Sequence, residues 1–249
     1  MIPDDQAGYG TAELIAAYPE RSFVTQTDIS STISFAIGMM ENGYGIYLPI
    51  KAGELSEAYP ALCRIKETYE RPVIISLIKD TDVDYELLNV LRNIHICEPK
   101  DADGIQKTLC TALHSCYPTM IIIPDECMDK RIESDETNME REGWQKENKS
   151  VINEVALLTY GPGTKMIRKI IENNSLPYDL YEMLYLNPVD EECLKEIFEK
   201  HRQVFVNGSQ FRNRILEYRQ KQKITTETVF IENEDISELF KEIKEVLNA

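Results

Sequence analysis

Short apolar runs alternate with amphipathic stretches along most of the chain. Residues 73–78 (Val-Ile-Ile-Ser-Leu-Ile) and 119–123 (Thr-Met-Ile-Ile-Ile) are almost unbroken apolar runs of strand length, the pattern of strands covered on both faces. Residues 22–25, 44–50 and 94–97 read as further strands. Between them, residues 11–18, 30–40, 56–69, 85–93 and 101–115 read as helices. In the second of these, Ile33, Ala36, Ile37 and Met40 recur at helical spacing, Ser30-Ser31-Thr32 supplies a capped start and Asn42-Gly43 a stop. Asp101 or Asp103 is available to cap the last.

The pattern fails between Asp125 and Lys149, which hold nine acidic residues, few apolar ones and the only tryptophan, Trp144. This stretch reads as a linker tethered by Trp144. Alternation then resumes, with strands expected at 155–159, 178–186, 203–206 and 229–231 and helices at 165–173, 191–200, 212–222 and 236–247. Strands alternating with helices imply right-handed βαβ units on parallel sheets. The expected fold is therefore α/β, two domains with mainly parallel sheets: 1–126, an acidic linker over 127–149, and 150–249.

Charge and cysteine usage narrow the function classes. Lys+Arg 27 against Asp+Glu 43 give a formal net charge of -16, so a nucleic acid or an anionic membrane surface is not an expected partner. Neither a signal peptide nor a membrane span is expected, because apolar runs are far below the ~20 residues a span needs. The six cysteines are scattered without a CxxC pair or a histidine at zinc-ligand spacing, which reads as reduced thiols in a cytoplasmic protein with no metal centre.

Several motifs together resemble one family. Tyr18-Pro-Glu-Arg-Ser-Phe23, the helix ending Phe35-Ala-Ile-Gly38 and Glu41-Asn-Gly43, and Ile46-Tyr47 are similar to the pyrimidine-binding domain of transketolase-type thiamine diphosphate enzymes, nearest to the 1-deoxy-D-xylulose-5-phosphate synthases. Leu91-Arg-Asn-Ile94 and Glu98-Pro-Lys-Asp101 continue the likeness. Leu157-Leu-Thr-Tyr-Gly161, Leu186-Asn-Pro-Val-Asp190 and Gln203-Val-Phe-Val206 resemble the C-terminal domain of the same superfamily. The resemblance implies a pyrimidine-type domain lacking its first βα unit, followed by a C-terminal-type domain. It also implies thiamine diphosphate and Mg²⁺ as cofactors, with Thr27, Asp28, Ile29, Tyr47 and Ile50 at the pyrimidine end. Diphosphate and Mg²⁺ are bound in the family by a separate domain carrying a GDG…N motif. The sequence holds no GDG, so the resemblance implies a partner chain that supplies it, and self-association as well.

The family's catalytic positions are substituted in this sequence. The glutamate that activates the aminopyrimidine aligns with Ile29, next to Asp28, so no catalytic residue is assigned. The pyrimidine-stacking aromatic aligns with Ile50 and the phosphate-gripping arginine with Gly53. The substrate-histidine loop becomes Lys79-Asp-Thr-Asp-Val-Asp84, a second arginine becomes Asp125, and Asn207-Gly208-Ser209 replaces an acidic pair. Two readings follow with equal weight. The chain is the second-half subunit of a split thiamine-dependent enzyme, transferring two-carbon units only when complemented, or it is a non-catalytic structural or regulatory relative. A third, weaker reading is an α/β enzyme with a new site near Cys97 and Cys127.

Other constellations have plain readings. Gly8-Tyr-Gly10 and Gly161-Pro-Gly163 read as turns, since neither completes a phosphate-loop motif. Asp80, Asp82 and Asp84 lack the glycine and distal glutamate of a calcium loop. His95 and His114 belong to no motif and read as packing residues.

Overall fold

The computed structural model describes residues 2–3, 11–124, 144–147, 154–208, 211–231 and 236–247. The chain divides into two compact units, Met1–Arg141 and Glu142–Ala249. Among the described residues, no helix is long and apolar enough to cross a membrane.

In the first unit, β1 (Ile2–Pro3) pairs in parallel with β2 (Val24–Thr25), and α1 (Thr11–Ala17) and a 3₁₀ turn at Pro19–Arg21 lie between them in sequence. The chain continues through α2 (Ile29–Glu41), β3 (Ile46–Lys51), α3 (Leu55–Leu62), β4 (Val73–Ile78), α4 (Tyr85–Val90), β5 (His95–Cys97), α5 (Ala102–Leu113) and β6 (Thr119–Ile123). Within this unit the strands lie in the order β5-β6-β4-β3, all parallel. Every residue of β4 is buried, as its apolar run requires of a central strand. The step from β5 back to β6 reverses the direction taken from β3 through β4 to β5, so right-handed crossovers set α5 on the face opposite α3 and α4.

Local chemistry sets the helix ends. Asp28, not a serine, caps α2: its carboxylate accepts from the Ser31 amide and hydroxyl, both at 2.8 Å. Ile29, Ile33, Ala36, Ile37 and Met40 form the buried stripe of α2, and Gly43 leaves the helix at φ +81°. Asp84 and Asp101 cap α4 and α5 in the same way as Asp28. Helix α3 stops at Leu62, short of the expected residue 69. Beyond it the chain tightens into i→i+3 turns at Arg64 and Ile65, and the Tyr69 amide bonds Cys116 O at 2.8 Å.

The second unit contains β7 (Gln145–Lys146), β8 (Val155–Thr159), α6 (Gly163–Asn173), β9 (Tyr178–Glu182), β10 (Tyr185–Asn187), α7 (Glu191–Lys200), β11 (Gln203–Asn207), α8 (Arg212–Gln222), β12 (Glu227–Ile231) and α9 (Ile236–Leu247). Its sheet runs β12-β11-β8-β9-β7, parallel except for β7. Leu157, Leu180, Phe205 and Ile231 form a core with Ile167 and Ile171 of α6 and Leu239, Phe240 and Ile243 of α9. The expected strand over 178–186 breaks at Met183, whose amide turns to Thr159 O at 2.7 Å.

The end of the expected linker belongs to this sheet. Trp144 is buried, donating its amide to Asp190 Oδ2 and its indole N–H to Tyr185 O. Gln145 and Lys146 then pair antiparallel with β9. The rest of the linker, with Asp125 and Cys127, lies outside the described residues, as do Gly8-Tyr-Gly10 and Ser209.

Candidate functional site

The residues implied at the pyrimidine end sit on two elements. Thr27, Asp28 and Ile29 open α2, while Tyr47 and Ile50 lie on β3. Ile29 is 3% exposed and belongs to the core, so the position that the resemblance matches to the glutamate offers neither an acceptor nor a proton. Asp28 is exposed but engaged as the helix cap. The amide and hydroxyl of Ser31 hold its carboxyl below the usual carboxylate range, and a carboxylate held ionised this way is a poor proton carrier. Thr25 and Thr27 both pair their hydroxyls with Thr32, at 2.9 and 3.2 Å. Ser76 donates to the Tyr47 hydroxyl at 3.0 Å, and burial pushes that phenol above its ordinary range. Ile50 is fully buried. These residues do not fit the acid–base role a thiamine pyrimidine ring needs.

The carboxyl ends of the first unit's strands, where a ligand crevice opens in this architecture, are bridged by the chain's own charges. Lys79 leaves β4 and Glu98 leaves β5, on either side of β6. Lys79 Nζ meets Glu98 Oε1 at 2.6 Å, and the Tyr85 hydroxyl donates to Glu98 Oε2 at 2.6 Å. Glu98 is 1% exposed. On the far side of β4, Gly53 N donates to Asp80 Oδ1 at 3.1 Å. A carboxylate of this chain thus takes the amide at the position where the resemblance implies a phosphate-gripping arginine. Asp84 caps α4 through the Leu87 amide. Asp80 and Asp84 of the acidic loop are therefore local anchors.

Cys97 is fully buried at the end of β5, donating to Met120 O at 3.4 Å. Burial first, and the neighbouring Glu98 second, push its thiol far above the ordinary range, which keeps it protonated and unreactive. His95 stacks on Tyr117 at 4.5 Å and His114 Nδ1 lies 2.8 Å from Cys110 O. Among the described residues, no group of three or more His, Cys, Asp or Glu is placed to hold a metal ion.

An apolar groove opens elsewhere on the first unit, at the amino end of β3. A cavity of about 510 Å³ lies among Leu14, Tyr18, Phe23, Phe35, Met39 and Tyr44, with Glu20 and Arg21 also at its wall. Phe35 is 50% exposed and Tyr44 56%. Rings as open as these mark contact surfaces. In the sequence, Phe35 and Met39 fall on the side of α2 away from its buried stripe.

The second unit holds a buried charge cluster that no sequence motif signals. Asp179 on β9 is 0% exposed, and its Oδ2 meets Lys146 Nζ at 2.7 Å and His201 Nε2 at 3.1 Å. His201 Nδ1 lies 2.8 Å from Ile197 O. The only hint is an aspartate within an otherwise buried strand, since its partners are 33 and 22 residues away. Nearby in sequence, buried Arg214 donates to Asn187 Oδ1.

No family model matches the chain. The 1-deoxy-D-xylulose-5-phosphate synthase of Actinobacillus pleuropneumoniae is 22% identical over 81% of this chain, and that of Campylobacter jejuni 24% identical over 98%. A solved split gene transketolase, described as an inactive β4 tetramer, superposes with a TM-score of 0.73 at 17% identity, covering 93% of this chain and 81% of that one. This chain is related to the transketolase superfamily. Its two α/β units with mainly parallel sheets have the transketolase-type fold. The transketolase-like chain spans 34% of the first synthase and 44% of the second.

Proposed function

We propose that the chain is the pyrimidine-type and C-terminal-type half of a split, thiamine-dependent transketolase-like assembly. In this reading a partner chain with a GDG…N domain supplies diphosphate and Mg²⁺ binding, and the cofactor is held only by the pair. The carrying observation is the likeness of the two α/β units to a split gene transketolase, at a TM-score of 0.73 over 93% of this chain. The chemistry would be two-carbon transfer, with the proton-transfer carboxylate not contributed by Ile29 or Asp28. Unpaired thiols at Cys63, Cys97, Cys110, Cys116 and Cys193 support a cytoplasmic setting.

The second reading is a non-catalytic structural or regulatory subunit. It is favoured by the aliphatic Ile29 at the glutamate position and by the Lys79–Glu98–Tyr85 bridge across the strand ends.

Both readings include self-association through the apolar groove. The β4 state of the structural neighbour supports self-association, and the open Phe35 and Tyr44 rings support this surface for it. Phe35→Asp places a charge in the groove, and its expected result is a shift to smaller species by at least about tenfold in dissociation constant. Sedimentation of the purified variant beside the parent chain reads it, with circular dichroism checking the fold. An unchanged mass distribution contradicts the groove as the contact.

A further inference from the structure

The apolar groove of the first unit is built as a contact surface. Of eleven large hydrophobic residues exposed among the described residues, five line this groove, so they form a patch and not the usual scatter. Aromatic rings, Met39 and Arg21 stand in its wall, the residue types enriched at protein interfaces. The wall is ordered before any contact forms. Phe23 braces Phe35, with ring centroids 6.2 Å apart. The turn at Pro19–Arg21 is fixed on Tyr18 O, which accepts from the Arg21 amide at 3.1 Å and from the Ser22 hydroxyl at 2.8 Å. A surface already ordered loses less freedom on binding.

Charge sets the geometry of the occupant. Each chain carries a formal net charge of -16, so two copies repel over most of their faces. The groove is an exception. Among the described residues, its lining holds one carboxylate, Glu20, one guanidinium, Arg21, and no other charged side chain. Their own contact is loose, with 3.8 Å between Arg21 Nε and Glu20 Oε1 and both side chains mostly in solvent, a pair of the kind that contributes little. Adjacent opposite charges are self-complementary under a two-fold rotation, because in an isologous contact residue i meets j and j meets i. The groove also offers a part that projects, the open Phe35 and Tyr44 rings, and a cavity of about 510 Å³ to receive it. With the groove as the self-contact, the reading on which this rests, we propose that it closes on a second copy across a two-fold axis. Glu20 of each copy then pairs with Arg21 of the other.

Sedimentation equilibrium of two charge variants of the full chain tests the pairing. Arg21→Glu leaves two carboxylates on each wall, and Glu20→Arg leaves two guanidinium groups. Each variant alone self-associates at least about tenfold more weakly than the parent. An equimolar mixture restores opposite charges across the axis and recovers a 1:1 dimer, within about threefold of the parent's dissociation constant. Both side chains are exposed, so the fold holds, with circular dichroism as the check. The Phe35→Asp variant separates the pairing from the groove itself. If it disperses the parent while the mixture stays dissociated, the groove remains the self-contact and the two-fold pairing is overturned. Charge variants that associate as the parent does also overturn it. A parent that sediments as a single chain, or masses that Phe35→Asp leaves unchanged, overturn the groove reading and the pairing together.

Discussion

Replacing Asp179 with alanine lowers the unfolding free energy of the second unit by about 3–5 kcal/mol, read as a fall in the urea midpoint. The carboxylate is fully buried and takes Lys146 and His201 on the same oxygen. Removing it leaves a fully buried imidazole and a partly buried ammonium without their acceptor, which is the costly way to break a buried pair. Lys146→Met has a smaller effect, because Lys146 keeps 27% of its side chain in solvent and Asp179 retains His201. The same substitution loosens β7, to which Lys146 belongs and which reaches the sheet through this contact, its pairing with β9 and the Trp144 bonds. An Asp179→Ala loss under about 1 kcal/mol, the range of an exposed pair, contradicts a buried anchor.

Glu98→Ala lowers the stability of the first unit by about 2–3 kcal/mol, with the same denaturant readout. One carboxylate at 1% exposure satisfies both the Lys79 ammonium and the Tyr85 hydroxyl at 2.6 Å. Lys79 keeps 28% of its side chain in solvent, so part of its loss is recovered by water. The double variant with Lys79→Met decides whether the contact is a coupled bridge. A coupling energy above about 1 kcal/mol marks a bridge, and near-additivity within about 0.3–0.5 kcal/mol contradicts it.

Much of the fold is legible in the sequence because its strongest signals are local. The runs at β4, β6 and β8 are long enough to declare buried strands, and Asp101 lies where an aspartate caps a helix, whereas the cap of α2 is Asp28 and not the serines that follow it. Strand β7 is not legible: two residues carry no period, and its pairing with β9 depends on chain more than 30 residues away. The end of α3 is missed because a long-range bond from Tyr69 to Cys116 overrides helical spacing.

The site is less legible than the fold. The resemblance implies substitutions at Ile29, Ile50 and Gly53, but it carries no sign of the interactions that replace them. Asp80 and Asp84 look like a repulsive acidic loop until their partners, Gly53 N and Leu87 N, are known. Glu98 and Asp179 look like ordinary carboxylates because their partners come from distant elements.

The central claim is that this chain holds thiamine diphosphate only as half of a pair. Isothermal calorimetry with thiamine diphosphate and Mg²⁺ tests it most directly, on the chain alone and then mixed with a partner carrying a GDG…N domain. The account predicts no saturable heat from the chain alone and saturable binding by the mixture. Stoichiometric binding by the chain alone contradicts it, and silence in both titrations sinks the paired-enzyme proposal in favour of the non-catalytic one.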